Sequence, residues 1–150
     1  MLSICHTKTF TMEYSVVELF PLFTPEGKKD WVPGWDYEII MGHTELYEDY
    51  VFLTESHHHG TKGAIWIVKE YNPNSHQIQY YKIEPDDKVD VITVKCTELE
   101  NTKTKVEVTY KYIALSTTGE KFIAKFNKNS YDEFISEWQK LLLVYFQSIG

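Results

Sequence analysis

The chemistry that this sequence can support is limited by which polar side chains are able to converge. The most conspicuous candidates for metal binding are three consecutive histidines, His57, His58 and His59. Consecutive side chains point apart, so at most His57 and His59 could share one ion. No cysteine joins them, and a zinc site needs three or four converging ligands. We therefore expect neither a metal nor another cofactor.

Nucleophilic catalysis has little support in the sequence. No Gly-x-Ser-x-Gly motif is present, and Cys5 and Cys96 lie in apparent strands, where buried reduced thiols are expected. Glu70, Glu55 or Asp30 could act as an acid or base if burial in a cavity raised its pKa, as a cyclase or dehydratase would require. Solvation at a strand or helix end is the alternative for each carboxylate. We therefore favour a non-catalytic role and leave catalysis open.

The segment from Phe20 to Trp35 is too apolar for an ordinary surface connection. It carries Phe20, Phe23, Trp31 and Trp35, whereas loops are normally polar and solvated. Such a segment must cover a core or line a cavity. Trp31 and Trp35 fit both alternatives, since an indole can close the open end of a core and still contact a ligand.

The elements around this segment can be read from capping and turn signals. Residues 3–12 have the pattern of a strand, and Ser15 with Glu18 forms a capping box that opens a short helix through about Phe20. Thr24 before Pro25 predicts an N-cap for a second short helix over 24–31. A sheet follows, because the connections between the next strands are too short for crossover helices and the strands must pair antiparallel. Those strands are predicted at 38–41, 50–55, 64–71, 77–84, 90–98 and 105–115.

The C-terminal part has the periodicity of an amphipathic helix. Thr117 with Glu120, and Ser130 with Glu133, match capping boxes, which predicts a helix that begins near residue 118 and restarts at Ser130. Residues 127–129 would interrupt it. The apolar stripe consists of Tyr131, Phe134, Ile135, Trp138, Leu141, Leu142, Tyr145 and Phe146.

One long amphipathic helix must cover the apolar face of this sheet. A strongly curved sheet leaves a gap between itself and that helix, and a gap of this kind is a site for a small molecule. Inward tyrosine hydroxyls could orient a ligand there, or could simply bond to backbone groups as core tyrosines do. The side chains expected to line the gap are Trp31, Trp35, Trp66, Tyr80, Tyr110, Tyr112, Phe134 and Trp138.

Several motifs in this order resemble the SRPBCC superfamily, which includes START lipid-transfer domains, the birch-pollen allergen type, polyketide cyclases and Hsp90-activator homologues. They are the blocks at 23–27 and 31–36, the segments 66–68 and 110–116, and the helix at 134–138. The first two blocks are similar to a bacterial subgroup without an assigned activity. The resemblance covers nearly the whole chain and implies an α+β helix-grip fold. That fold has a curved seven-stranded antiparallel sheet around a long C-terminal helix, with two short helices between strands 1 and 2. It implies no particular reaction.

Length and charge bound the function further. A chain of 150 residues fits one domain over 1–150. The net charge of −7 and the lack of arginine argue against nucleic acid. No apolar run approaches the ~20 residues of a membrane span. No signal peptide is visible, so a cytoplasmic location is the default.

These features favour a protein that binds or transports a small hydrophobic molecule. Two alternatives remain at this stage. One is a polyketide cyclase- or dehydratase-like enzyme that uses a cavity carboxylate and tyrosines, and the other is an Hsp90-activator-like interaction module. The sequence does not indicate the oligomeric state.

Overall fold

The computed structural model describes residues 2–55 and 63–150. The three histidines at 57–59 lie outside the described residues. Within the described ranges, no group of three His, Cys, Asp or Glu side chains is placed to hold a metal ion.

A seven-stranded antiparallel sheet dominates the described part of the chain, in the order β1-β7-β6-β5-β4-β3-β2. From β2 to β7, strands that are consecutive in sequence are paired. β1 pairs with β7 and forms one edge of the sheet. The sheet is curved, as a helix-grip fold requires. The strands are β1 (Ser3–Met12), β2 (Glu38–Ile39), β3 (Val51–Thr54), β4 (Ala64–Asn72), β5 (Gln77–Glu84), β6 (Lys88–Glu100) and β7 (Lys103–Ala114).

Two short helices, α1 (Val16–Leu19) and α2 (Pro25–Lys28), lie between β1 and β2, joined by a 3₁₀ turn at Phe20–Phe23. Both predicted caps are confirmed. Ser15 Oγ accepts a hydrogen bond from the Glu18 N–H, and Thr24 Oγ1 accepts one from the Gly27 N–H at 3.0 Å. The second helix is shorter than predicted, because regular α-helix ends at Lys28 and turns follow.

The C-terminal helices are α3 (Thr117–Lys125) and α4 (Lys128–Ile149), with the predicted break between them. The predicted caps were wrong by one and by three residues. Ser116 caps α3, and Asn127 caps α4 by accepting a hydrogen bond from the Ser130 N–H at 2.9 Å. Asn is as good an N-cap as Ser, and Asn127 was expected to interrupt the helix, not to cap it. Among these helices, and within the described residues, none combines the length and hydrophobicity that a membrane crossing requires.

The buried face of the sheet follows strict alternation along the strands. Ile92, Val94 and Cys96 of β6 are buried, as predicted. Burial raises the pKa of the Cys96 thiol to about 12. The expectation for Cys5 was wrong: this residue is exposed, because it lies opposite Lys111 on the outer face of β1 and β7.

Hydrogen bonds from aromatic side chains to backbone oxygens hold the aromatic segment together and connect it to the sheet. Trp31 Nε1 donates to Leu22 O at 2.7 Å, and Trp35 Nε1 donates to Pro25 O at 2.9 Å. From β5, Tyr80 Oη donates to Phe23 O at 2.9 Å. Gly27 permits this packing, because a Cβ there would lie 2.0 Å from Pro21 O. The segment therefore covers one end of the core.

Candidate functional site

A cavity of about 1100 Å³ lies between the inner face of the sheet and the C-terminal helices. Strands β3 to β7 supply one wall, and Phe122 and Phe126, in and just after α3, supply part of the other. Five of the side chains predicted for the gap border this space: Trp35, Trp66, Tyr110, Tyr112 and Phe134. Phe134 is 36% exposed although it belongs to the apolar stripe of α4.

Three other predicted side chains lie in the packed core beside the cavity and not on the described wall. Trp31 and Tyr80 are held there by the backbone hydrogen bonds to the short-helix segment. Trp138 packs edge-to-face on Trp31 with ring centroids 5.6 Å apart. Alternation and helical periodicity indicate which residues point inward. They do not indicate where along the core the empty space begins.

The inward tyrosines divide by what their hydroxyls contact. Tyr80 Oη and Tyr131 Oη donate to backbone oxygens, the latter to Val108 O at 2.6 Å. Tyr110 and Tyr112 stack with centroids 5.4 Å apart, and within residues 2–55 and 63–150 their hydroxyls form no hydrogen bond. Burial raises the pKa of both phenols far above neutral pH, so both are donors. These two hydroxyls are therefore available to a ligand.

One end of the cavity is charged. Lys88 Nζ lies 2.8 Å from Glu84 Oε1 and 3.2 Å from Asp90 Oδ1, and Lys82 Nζ lies 3.7 Å from Glu84 Oε1. Cross-strand pairing of β5 and β6 brings the four together, since Lys82 is opposite Asp90 and Glu84 is opposite Lys88. All four border the cavity. We call these residues the charged end.

Within the charged end, burial and charge oppose each other. Asp90 is 2% exposed, and this burial raises the pKa of its carboxyl although Lys88 lowers it. Burial also lowers the pKa of Lys88, but Asp90 and Glu84 outweigh burial and the net pKa is raised.

Two carboxylate oxygens at this end are buried without a hydrogen bond in the described structure, Oδ1 of Asp90 and Oδ1 of Asp87. Lys88 Nζ donates its hydrogen bond to the other oxygen of Asp90, Oδ2, at 3.3 Å. Its contact with Oδ1 is therefore an ion pair alone. Neither Oδ1 atom is exposed to solvent in the described structure.

The carboxylates that the sequence suggested for acid–base chemistry are all exposed. Asp30 and Glu70 do not border the described cavity. Glu55 borders it, but its side chain is not buried. Solvation at a strand or helix end, the alternative stated for each of them, is what the structure shows.

The charged end had a signal in the sequence that was not used. Ile92, Val94 and Cys96 alternate on the buried face of β6, and counting back in steps of two reaches Asp90 and then Lys88. Two charged residues in phase with a buried apolar row must either be paired or border a cavity. Both conditions hold for this pair.

Besides Lys88 and Asp90, one more buried charged residue near the cavity was not predicted from the sequence. Lys28 is the last residue of α2 and is only 5% exposed. Its Nζ lies 4.8 Å from the ring centroid of Trp35, 4.9 Å from Trp66, 5.2 Å from Tyr80 and 6.0 Å from Trp138. Burial, and then the positive charge of Lys82, lower the pKa of this amine to about 7.

Comparison with known proteins gives structural matches only. No family model matches the chain, and no curated protein matches it. Among solved structures, a norcoclaurine synthase variant from Thalictrum flavum in complex with a transition state analogue superposes with a TM-score of 0.70. It is 9% identical, with 99% of this chain and 98% of that chain covered.

Two bacterial structures match equally well. An aromatase/cyclase, Zhui, from Streptomyces sp. R1128 has a TM-score of 0.69 at 13% identity, with 99% of this chain and 97% of that chain covered. A START superfamily protein from Mycobacterium smegmatis has a TM-score of 0.69 at 15% identity, with 99% of both chains covered. At such low identity the likeness concerns the fold. The chain has the helix-grip fold that its SRPBCC-like motifs predict.

Proposed function

We propose that this protein binds a small hydrophobic molecule in the cavity between the curved sheet and the C-terminal helices. The observation that carries the proposal is the cavity itself, about 1100 Å³ with aromatic side chains on both walls. Ligand sites are typically concave and mostly apolar, and they carry a few placed polar groups. Burying ~300 Å² of apolar ligand surface would contribute roughly 7 kcal/mol before the entropy of association is subtracted.

The polar groups on the wall favour an amphipathic ligand over a plain hydrocarbon. Tyr110 and Tyr112 offer two hydroxyl donors, and the charged side chain of Asp90 borders the same space. A ligand with an apolar body and one hydroxyl or carbonyl group could satisfy them. Two proteins that share the fold, a norcoclaurine synthase with a bound transition state analogue and an aromatase/cyclase, support a small-molecule occupant.

The proposal is tested by titration with N-phenyl-1-naphthylamine, a neutral probe that fluoresces in apolar surroundings. We expect saturable binding at one site. Phe134→Ala should weaken it about tenfold, since burying apolar probe surface against one aromatic ring contributes ~1.5 kcal/mol. Val144→Ala is the matched control on the same helix, because Val144 is 62% exposed on the outer face.

Two results would overturn the binding proposal. One is the absence of saturable binding to the wild-type protein. The other is an equal loss of affinity in Phe134→Ala and Val144→Ala, which would mean that the probe binds outside the cavity.

A second candidate function is acid–base catalysis of the cyclase or dehydratase kind, and the state of Asp90 is the observation that favours it. This carboxyl is buried, borders the cavity and has a raised pKa. A general acid must be partly protonated near its working pH. Carbon-detected NMR titration of Asp90, with Asp90→Asn for assignment, tests this candidate. A pKa at or below the ordinary value of ~3.9 would exclude this role for Asp90.

A further inference from the structure

The surroundings of Lys28 are unusual for a lysine. In the part of the chain that the structure describes, its Nζ has no hydrogen-bond acceptor and no carboxylate within bonding distance. Four aromatic rings surround the amine instead. A methionine of similar length would fill this space without the desolvation of a charge. The burial of an amine here therefore requires a functional explanation.

The aromatic segment from Phe20 to Trp35 fixes the position of the amine. Thr24 caps α2, and the Trp35 indole bonds to Pro25 O, so the backbone that carries Lys28 is held at both ends of the turn. Gly27 allows that turn to pack directly against Pro21. The side chain is thereby directed into the core.

The amine lies next to the ligand cavity. Trp35 and Trp66 border the cavity, and both rings contact Lys28 Nζ. On the cavity wall, Lys82 Nζ lies 5.4 Å from the same Trp66 ring. Trp35 is only partly buried, so it is the ring whose displacement would connect the amine with the cavity.

We propose that Lys28 is the nucleophile of a carbonyl-binding site and forms a Schiff base with the aldehyde or ketone group of a hydrophobic ligand. This inference rests on the proposed function, because the ligand reaches the amine through the same cavity. It narrows the ligand to carbonyl compounds. A desolvated lysine with a second cation nearby is the usual form of an amine nucleophile, and Lys82 supplies that second cation.

The reaction balances without a further reactant. The lone pair of neutral Nζ attacks the carbonyl carbon and a C–N bond forms. The resulting carbinolamine loses its oxygen as water, and with one proton taken up the product is a protonated imine. The positive charge then lies close to the former ammonium position, where the faces of Trp35 and Trp66 stabilise a cation.

Reductive trapping tests the inference. The protein is incubated at pH 7 with 2-naphthaldehyde and sodium cyanoborohydride, and tandem mass spectrometry then locates the adducts. We expect the adduct on Lys28 to exceed that on Lys29 at least tenfold. Lys29 is the matched internal control, since it is the next residue and its pKa is raised by its hydrogen bond to Glu26. Lys28→Arg should lose the adduct, and Lys82→Met should slow its formation without abolishing it, because the charge of Lys82 favours the neutral amine of Lys28.

The same reagents separate failure of this inference from failure of the proposed function. If N-phenyl-1-naphthylamine does not bind to the wild-type protein, the proposed function fails. If the probe binds and Lys28 is labelled no faster than Lys29, only the Schiff-base inference fails. Bound probe should also slow labelling of Lys28, and unchanged labelling would place the reaction outside the cavity and overturn the inference. Lys28→Met replaces Lys28→Arg if the arginine variant does not fold.

Discussion

Lys28 and Lys88 are both buried lysines next to the same cavity, but different groups surround their amines. Two carboxylates, Glu84 and Asp90, lie within 3.2 Å of Lys88 Nζ. Aromatic rings surround Lys28 Nζ, at 4.8 Å and beyond. Burial lowers the pKa of both amines. At Lys88 the carboxylates outweigh burial, whereas at Lys28 another cation, Lys82, adds to the effect of burial.

The difference shows that burial alone does not decide the protonation state of a lysine. Lys88 remains a cation that holds two carboxylates in place at the end of the cavity. Lys28 is close to half neutral at pH 7, because its pKa is about 7. One fold therefore surrounds one buried lysine with carboxylates and another with aromatic rings.

The largest expected effect comes from removing the fixed charge. Lys88→Met leaves the buried carboxylate of Asp90 without the ammonium group of Lys88, and breaking a buried pair typically costs ~3–5 kcal/mol of unfolding free energy. Urea denaturation at pH 7 measures this loss. Adding Asp90→Asn to Lys88→Met should restore part of the stability. A loss below ~1 kcal/mol for Lys88→Met would show that the charged end is not held by this pair.

A smaller effect is expected at Lys28, where the unfolding free energy of the wild type should increase with pH relative to that of Lys28→Met. The pKa of this amine is lower in the folded than in the unfolded protein, so between pH 7 and 9 the unfolded chain keeps a proton that the folded protein releases. The unfolding free energy of the wild type should therefore rise by about 2 kcal/mol across this window relative to Lys28→Met. Lys82 and Tyr80 also face this amine, and both residues are present in both proteins. Urea denaturation at the two pH values gives the difference.

Lys88→Met supplies the control for this pH dependence. Because the pKa of Lys88 is raised in the folded protein, this amine stays protonated over pH 7–9 in both states. The variant should keep the wild-type rise with pH. Parallel curves for wild type and Lys28→Met would contradict the assignment of a neutral amine to Lys28.

The smallest expected effect concerns two buried tyrosines, Tyr131 and Tyr112, whose hydroxyls differ in their hydrogen bonding. Tyr131→Phe removes a buried hydrogen bond to Val108 O and should cost ~1 kcal/mol or more of unfolding free energy. Tyr112→Phe removes a hydroxyl without a hydrogen bond in the described structure, so its cost should stay below ~0.5 kcal/mol. Thermal and urea unfolding measure both variants. Equal losses would mean that the Tyr112 hydroxyl has a structural partner.

Much of the fold could be predicted because strands and caps leave local signals. The Ser15 and Thr24 caps and the alternation of β6 and β7 require only nearby residues. The break before α4 was predicted too, but the cap was expected at Ser130 and lies at Asn127, a residue type that caps equally well.

The site was harder to predict because depth and pairing are properties of the tertiary structure. Alternation identifies both Tyr80 and Tyr110 as inward residues. Only the tertiary structure shows that Tyr80 packs against the short-helix segment, whereas Tyr110 lies on the cavity wall. Lys28 and Lys29 are adjacent lysines, and a four-residue helix has too little periodicity to show which one is buried. The position of α2 against β4 and β5 decides it.

The most direct test of the account is to locate a bound molecule in the cavity by NMR. With N-phenyl-1-naphthylamine added to isotope-labelled protein, we expect intermolecular NOEs from the probe to Trp35, Tyr110 and Phe134. NOEs confined to the exposed apolar residues Ile39 and Ile40 at the edge of the sheet would contradict the account. So would a probe that gives no NOE to any side chain between the sheet and α4.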